Sequence, residues 1–266
     1  MTMMLAPDLL DRRGLALLAF VDGYGRAVDG PVQIRGDGVQ IVPKGGGRYA
    51  LTAAKGFETY AATFDSAPAH AAAPIQLDCT PASRAYLPRR YKLQLPRDAD
   101  PAHLNQTGSL FQPVAIELLP AATAQPIGSA VVLRVSVKRS DDGRAVEHAL
   151  VRAQTDNGLF AARGLTDARG EAVLLFPVLP LSFAGAGATV DRDIAARVIV
   201  DADPAAALFH APADMPTAAR DAATRTAGHP DPDALAAALP ANFPSGTALR
   251  IAAGRQFSLA LTWTAP

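Results

Sequence analysis

Short runs in which apolar and polar residues alternate recur along most of this chain, and such alternation marks a strand with one buried face. Leu133, Val135 and Val137 alternate with Arg134, Ser136 and Lys138, and Tyr91, Leu93 and Leu95 with Lys92 and Gln94. Phe257, Leu259, Leu261 and Trp263 keep the same period, and Ala149, Val151 and Ala153 form one face of another strand. Further strands are expected at Leu15–Val21, Val32–Arg35, Val39–Val42, Tyr49–Thr52, Tyr60–Phe64, Ile75–Asp78, Val114–Leu119, Glu171–Val178, Ile194–Val200 and Leu249–Ile251. Gly36-Asp37-Gly38 and the two-residue Asn157-Gly158 read as hairpin turns, since these residues tolerate positive φ. Gly45-Gly46-Gly47 reads as a turn into Tyr49–Thr52.

The signals come in the same order twice. A strand (Leu15–Val21; Leu133–Val137), an Asp/Gly turn and the tetrapeptide Gly-Arg-Ala-Val (Gly25–Val28; Gly143–Val146) are followed by a second strand, a glycine turn and a third strand. This predicts an all-β chain of two tandem β-sandwich modules. The expected division is an N-terminal arm at 1–13, a first module at 14–119, a linker at 120–128 and a second module at 129–266. Around 205–245 alanine-rich segments, Thr217–Ala227 and Asp231–Leu239, lack β-branched runs. Asp231-Pro232 puts a capping residue before a proline suited to the first helical position, so a short helical insertion is expected there.

Composition narrows the function classes. At 266 residues, 49% of them hydrophobic, the chain can fill two cores. Formal net charge is zero and only 19% of residues are charged, so no basic excess points to nucleic acid. A low, balanced charge suits close packing against other subunits. The single cysteine, Cys79, excludes an intrachain disulfide. No run approaches the length of a membrane helix, and Leu15–Phe20 is too short for a signal-peptide core. The expected location is the cytoplasm, or a particle released without a signal peptide.

Candidate chemistry is sparse. His70, His103, His148, His210 and His229 are scattered at spacings unlike a helical zinc site. No nucleophile elbow or phosphate-binding loop occurs, and Gly45–Gly47 precedes a strand instead of a helix. Asp-Ala-Asp-Pro-Ala appears at Asp98–Ala102 and Asp201–Ala205; it reads as turn capping, with calcium binding as the alternative. The chain is therefore expected to be non-enzymatic, without cofactor or metal. Its rivals are a stand-alone glycan- or peptide-binding module and a hydrolase whose site assembles only in three dimensions.

Two segments stand out as contact surfaces. In Val173–Leu181 both strand faces are apolar, so Leu174 and Phe176 either pack within the chain or meet another subunit. Arg84, Arg89 and Arg90 lie among Tyr86 and Tyr91, the composition of an interface hot spot. Other protein subunits are the expected partners.

The series Gly143-Arg144-Ala145-Val146, Ala149 and Val151, Thr166-Asp167-Ala168-Arg169-Gly170-Glu171 and Leu179-Pro180 resembles the carboxypeptidase regulatory-like domains. The match covers about residues 130–180; residues 15–64 match more weakly, lacking the Thr-Asp of the signature. The resemblance implies Ig-like/transthyretin-like β-sandwiches that serve as attached, non-catalytic modules. Tyr86–Leu93 with Leu95-Pro96-Arg97-Asp98 is more loosely similar to regulatory-like proteins of phage-tail-like contractile injection systems. That likeness implies a structural or adaptor subunit of such a particle.

Overall fold

The computed structural model describes residues 14–62, 71–125, 130–176, 193–203, 229–238 and 241–265. The expected arm at 1–13, the end of the apolar run at 177–181 and the alanine-rich Thr217–Ala227 lie outside them. The described residues form fourteen strands and two short helices. In chain order these are β1 (Ala16–Val21), β2 (Val32–Arg35), β3 (Gln40–Gly45), β4 (Arg48–Ala53), α1 (Glu58–Ala62), β5 (Ala73–Pro81), β6 (Arg89–Leu95) and β7 (Val114–Glu117). Then follow β8 (Val131–Arg139), β9 (Leu150–Thr155), β10 (Ala161–Leu165), β11 (Glu171–Phe176), β12 (Ile194–Asp201), α2 (Pro232–Ala238), β13 (Thr247–Ile251) and β14 (Gln256–Trp263). The chain is all-β, as its alternation predicts. The four sheets run β3-β4-β1-β7, β2-β5-β6, β10-β9-β12-β13 and β11-β8-β14.

Two compact units share these strands. One comprises Met1–Phe20, Ile34–Leu77 and Lys92–Ile116; the other comprises Val21–Gln33, Asp78–Tyr91 and Glu117–Pro266. Segments 21–33 and 78–91 thus pack with 117–266. In the first unit β1 pairs antiparallel with β4, setting Leu18 opposite Tyr49 and Ala16 opposite Leu51. Phe20 meets Tyr49 edge-on, ring centroids 5.6 Å apart, a favoured aromatic geometry.

In the second unit the core draws on alternate residues of both sheets. Leu133, Val135 and Val137 of β8, Val151 and Ala153 of β9, Leu174 and Phe176 of β11, Val198 of β12 and Leu261 and Trp263 of β14 form one buried cluster. β14 runs parallel to β8. The last strand thereby closes the sheet that the unit's longest strand begins.

The repeated tetrapeptide is a repeated geometry. Val21 bridges Ala27 and Lys138 bridges Ala145; Asp22 N–H donates to Arg26 C=O, and Arg139 N–H to Arg144 C=O. Gly25 and Gly143 both turn through positive φ, 75° and 71°, and the closing valines, Val28 and Val146, are buried. After each copy the leading strand pairs antiparallel with the third: β1 with β4, β8 with β11.

Three local expectations change. Gly36–Gly38 does not close a hairpin, because β2 and β3 belong to different sheets. A Cβ on Gly36 would sit 2.8 Å from Gln76 O, so the glycine permits close backbone passage where the chain changes sheets. Of the strand expected at Tyr60–Phe64, residues 60–62 are helical and 63–64 lie outside the described residues: α1 starts at Glu58, whose carboxylate accepts Gly56 N–H at 3.0 Å. Asn157-Gly158 does join antiparallel β9 and β10, but in a longer loop, because Thr155 N–H already bonds Phe160 C=O. Asn157 accepts from the Thr155 hydroxyl and from Leu159 N–H, which fixes the wider turn.

Candidate functional site

Arg89, expected on a contact surface, is buried, with 1% of its surface exposed. A buried guanidinium must spend its donors inside the protein. Nε donates to Arg90 C=O at 3.2 Å, one terminal nitrogen to Glu117 C=O at 2.7 Å and the other to Asp233 of α2. Asp233 also accepts from Arg163 of β10 at 2.7 Å, and Arg163 Nε reaches the Glu117 carboxylate at 2.7 Å. Two arginines and two acids thus form one clamp at the helical insertion. Burial pushes the Asp233 carboxyl upward, but Arg89 and Arg163 outweigh it and hold the group below its ordinary range.

The neighbouring arginine also engages the segment before α2. Arg90 Nε donates to Asp78 at 2.9 Å, Arg90 N–H donates to Pro230 C=O at 2.7 Å, and Thr80 Oγ1 lies 3.0 Å from His229 Nε2. Asp231 caps α2 by accepting Ala234 N–H at 2.9 Å, with Pro232 first in the helix as its sequence predicts. Of the basic run, Arg84 is exposed, while Tyr86 and Tyr91 are half-buried, Tyr91 lying 5.7 Å from the Arg89 guanidinium. Leu174 and Phe176 are fully buried in the core of the second unit. Of the two readings left open for them, packing within the chain is what the structure shows. The opposite face of β11 is apolar for a second reason: Val173 is buried there, and Leu175 lines a cavity.

That cavity, of about 530 Å³, belongs to the second unit. Its wall includes Tyr24, Tyr86, Ala85, Leu118, Ala162 and Leu175. The segments 85–87 and 119–121 are tied by the Leu87 N–H to Leu119 C=O and Ala121 N–H to Ala85 C=O bonds. Asp22 organises the loop at the mouth: one carboxylate oxygen accepts Tyr24 and Arg26 N–H, the other the Arg26 guanidinium. Burial pushes both tyrosine hydroxyls upward, so they stay protonated donors. The cavity's charged side chains are paired: Asp22 with Arg26, Glu117 with Arg163, and Arg152 with Asp201.

In the first unit, the loop between β6 and β7 presents two large apolar side chains, Leu104 (46% exposed) and Phe111 (54%). The loop is braced throughout. Arg97 donates to Thr107 C=O and Ser109 C=O, Leu110 N–H donates to Asp98 C=O, and Gln112 Nε2 donates to Leu104 C=O at 2.7 Å. The first Asp-Ala-Asp-Pro-Ala copy caps turns here: Asp98 accepts Asp100 N–H and Asp100 accepts Ala102 N–H. Asp98 also meets His103 Nδ1 at 2.6 Å, which raises the imidazole pKa and, together with the backbone bond, lowers the carboxylate's. Leu104 and Phe111 are not among the contact residues the sequence predicts; the signal for them is apolar side chains in an otherwise polar loop with no period to bury them.

Cys79 is buried, and its thiol is pushed up to about 12 by that burial, so it is no ready nucleophile. Among the described residues no group of three or more His, Cys, Asp or Glu side chains is placed to hold a metal ion. No helix among them is long and apolar enough to cross a membrane.

No family model matches the chain, and no curated protein matches it. Among solved structures the chain is similar to the Bacillus anthracis TIE protein, at 9% identity and a TM-score of 0.21, over 95% of this chain and 33% of that one. The chain spans about a third of the length of that protein.

Proposed function

We propose that this chain is a non-catalytic structural or adaptor subunit that works by contact within a larger protein assembly, of the kind a phage-tail-like contractile injection particle represents. The observation that carries the reading is the Leu104–Phe111 loop. Large apolar side chains held out on a hydrogen-bonded loop lose little conformational entropy on docking, which suits an interface anchor. The second half is read as a carboxypeptidase regulatory-like module, supported by the roles of Thr166, Asp167 and Gly170 in one turn.

The test is co-purification of the full chain from its native cell, wild type against Leu104→Asp/Phe111→Asp. Exposed substitutions move stability by only about 0.5 kcal/mol, so the variant should fold and lose its protein partners. A folded variant that retains them removes this surface, and a wild-type chain that brings down no protein removes the reading. Sheath, tube or baseplate genes beside this one would identify the particle. A second reading, a stand-alone peptide-binding sandwich, is favoured by the cavity beside Tyr24 and Tyr86.

A further inference from the structure

β10 ends its sheet, with β9 as its sole hydrogen-bonded neighbour among the described strands. Two bonds set the phase of the ladder: Thr155 N–H to Phe160 C=O at 2.9 Å, and Thr166 N–H to Ala149 C=O at 3.0 Å. Hydrogen-bonded pairs alternate along an antiparallel ladder. Ala162 and Gly164, opposite Ala153 and Val151, therefore turn their N–H and C=O toward β9. Ala161 and Arg163 turn theirs away from it. Both residues line the cavity; Ala161 is exposed and Arg163 half-buried.

An open strand edge on a cavity wall has one natural complement, an extended backbone that supplies the missing ladder, with alternate side chains entering the cavity. The cavity falls within the roughly 300–1,000 Å³ typical of ligand sites. Each charged side chain of its lining already has an ion-pair partner, Arg152 in Asp201 beyond the lining, so a charged occupant would have to compete for its counter-ion against an existing pair. Ala85, Leu118, Ala162 and Leu175 offer an apolar wall, and the Tyr86 hydroxyl adds a polar group beside it, while the Tyr24 hydroxyl donates to Phe176 C=O at 3.5 Å.

We infer that β10 and this cavity take an extended, uncharged peptide segment of a partner protein. Its backbone pairs with Ala161 and Arg163, and an apolar side chain fills the space against Leu175. The inference rests on the contact function proposed above and gives it a second, distinct surface.

The experiment uses the full chain and fluorescein-labelled, end-capped heptapeptides in which threonine alternates with valine, leucine or phenylalanine, read by fluorescence anisotropy. Saturable binding is expected for at least one series. Ala161→Pro removes an outward N–H that the β9 ladder does not use, a place where an edge strand tolerates proline. It should weaken binding by about tenfold while the protein stays folded. Ala85→Leu narrows the cavity without touching β10 and should give a comparable loss, which keeps the test decisive if the proline variant unfolds. Absence of binding up to about millimolar peptide, or binding unchanged in the folded variants, overturns the inference. A small organic molecule that co-purifies in the cavity and blocks peptide binding overturns it as well. The two readings fail separately. Loss of peptide binding leaves partners recruited through Leu104 and Phe111 untouched, whereas a chain without protein partners can still bind peptide.

Discussion

Thr166 is fully buried, and its hydroxyl is used twice: it donates to Val146 C=O and accepts Ala149 N–H, both at 2.7 Å. The next residues complete the turn. Asp167 accepts Arg169 and Glu171 N–H, and Gly170 turns at φ 72°, where a Cβ would come within 2.5 Å of Val137 O. Thr166→Val keeps the shape and strands two buried backbone groups, so it should cost about 1–3 kcal/mol in urea melts. Gly170→Ala combines a disfavoured φ with a backbone clash and should cost at least about 1 kcal/mol. A neutral result for both would detach this signature from stability. His103 offers a test by pH. Its pKa is raised by Asp98, so the pair's contribution is fully present below the ordinary imidazole pKa and fades as pH rises through the raised value. Asp98's lowered pKa makes its own share fade only in acid. In an NMR titration Asp98→Asn should bring the His103 imidazole back down; an unmoved pKa would contradict the pairing.

At the scale of elements, α2 has seven residues, too few for a helix to hold itself in water. Its order comes from the Asp231 cap, a small cluster in which Leu235 and Ala236 pack against Leu119, Leu150 and Leu165, and the clamp of Asp233 to Arg89 and Arg163. Asp233→Ala leaves a buried guanidinium short of its counter-ion. Because Asp233 itself is 40% exposed, water screens part of the pairing, and a loss of about 1–3 kcal/mol is expected. Limited proteolysis should then cut near Leu235 faster than in the wild type; equal cutting and equal stability would show that packing alone holds α2. The sign with pH follows from Asp233's lowered pKa: its stabilisation is present above the ordinary carboxylate range and is lost as acid protonates it. Arg89→Glu would consequently break this clamp before it tested any interface.

For the whole molecule, the doubly apolar strand matters more to folding than to docking. Leu174→Ala empties a site at the centre of the second unit's core and should cost about 2–5 kcal/mol, read as a lower urea midpoint. A loss below about 1 kcal/mol would mean that the strand contributes little to the core. Under the proposed contact function, the anchors are side chains the fold does not consume: Leu104 and Phe111 in the first unit, and in the second Leu159, 74% exposed in the loop joining β9 and β10. These surfaces lie on loops braced by hydrogen bonds, which is where a rigid sandwich can present anchors without disturbing its core.

Period-two alternation was enough to place most of the strands, because a pleated strand with one buried face leaves that period in the residues themselves; it misplaced residues 60–62, which are helical. The Gly-Arg-Ala-Val repeat was likewise legible, since its glycine must adopt a φ that other residues resist. The Asp231-Pro232 helix start was local chemistry and could be read directly. Pairing was not legible. Whether Gly36–Gly38 closes a hairpin or changes sheets depends on which strand lies across from each side, and alternation carries no partner label. The fate of Arg89 was hidden for the same reason. Its position looks like surface until Asp233, 144 positions away in the chain, and the Glu117 carbonyl supply the partners that make burying a charge tolerable. The unbroken apolar run at Val173–Phe176 showed that two faces needed covering; only the tertiary structure decided that Leu174 and Phe176 cover the core while Leu175 covers a cavity. The cavity itself is built from segments 21–26, 85–86, 117–125 and 152–163, brought together by packing that no local pattern encodes.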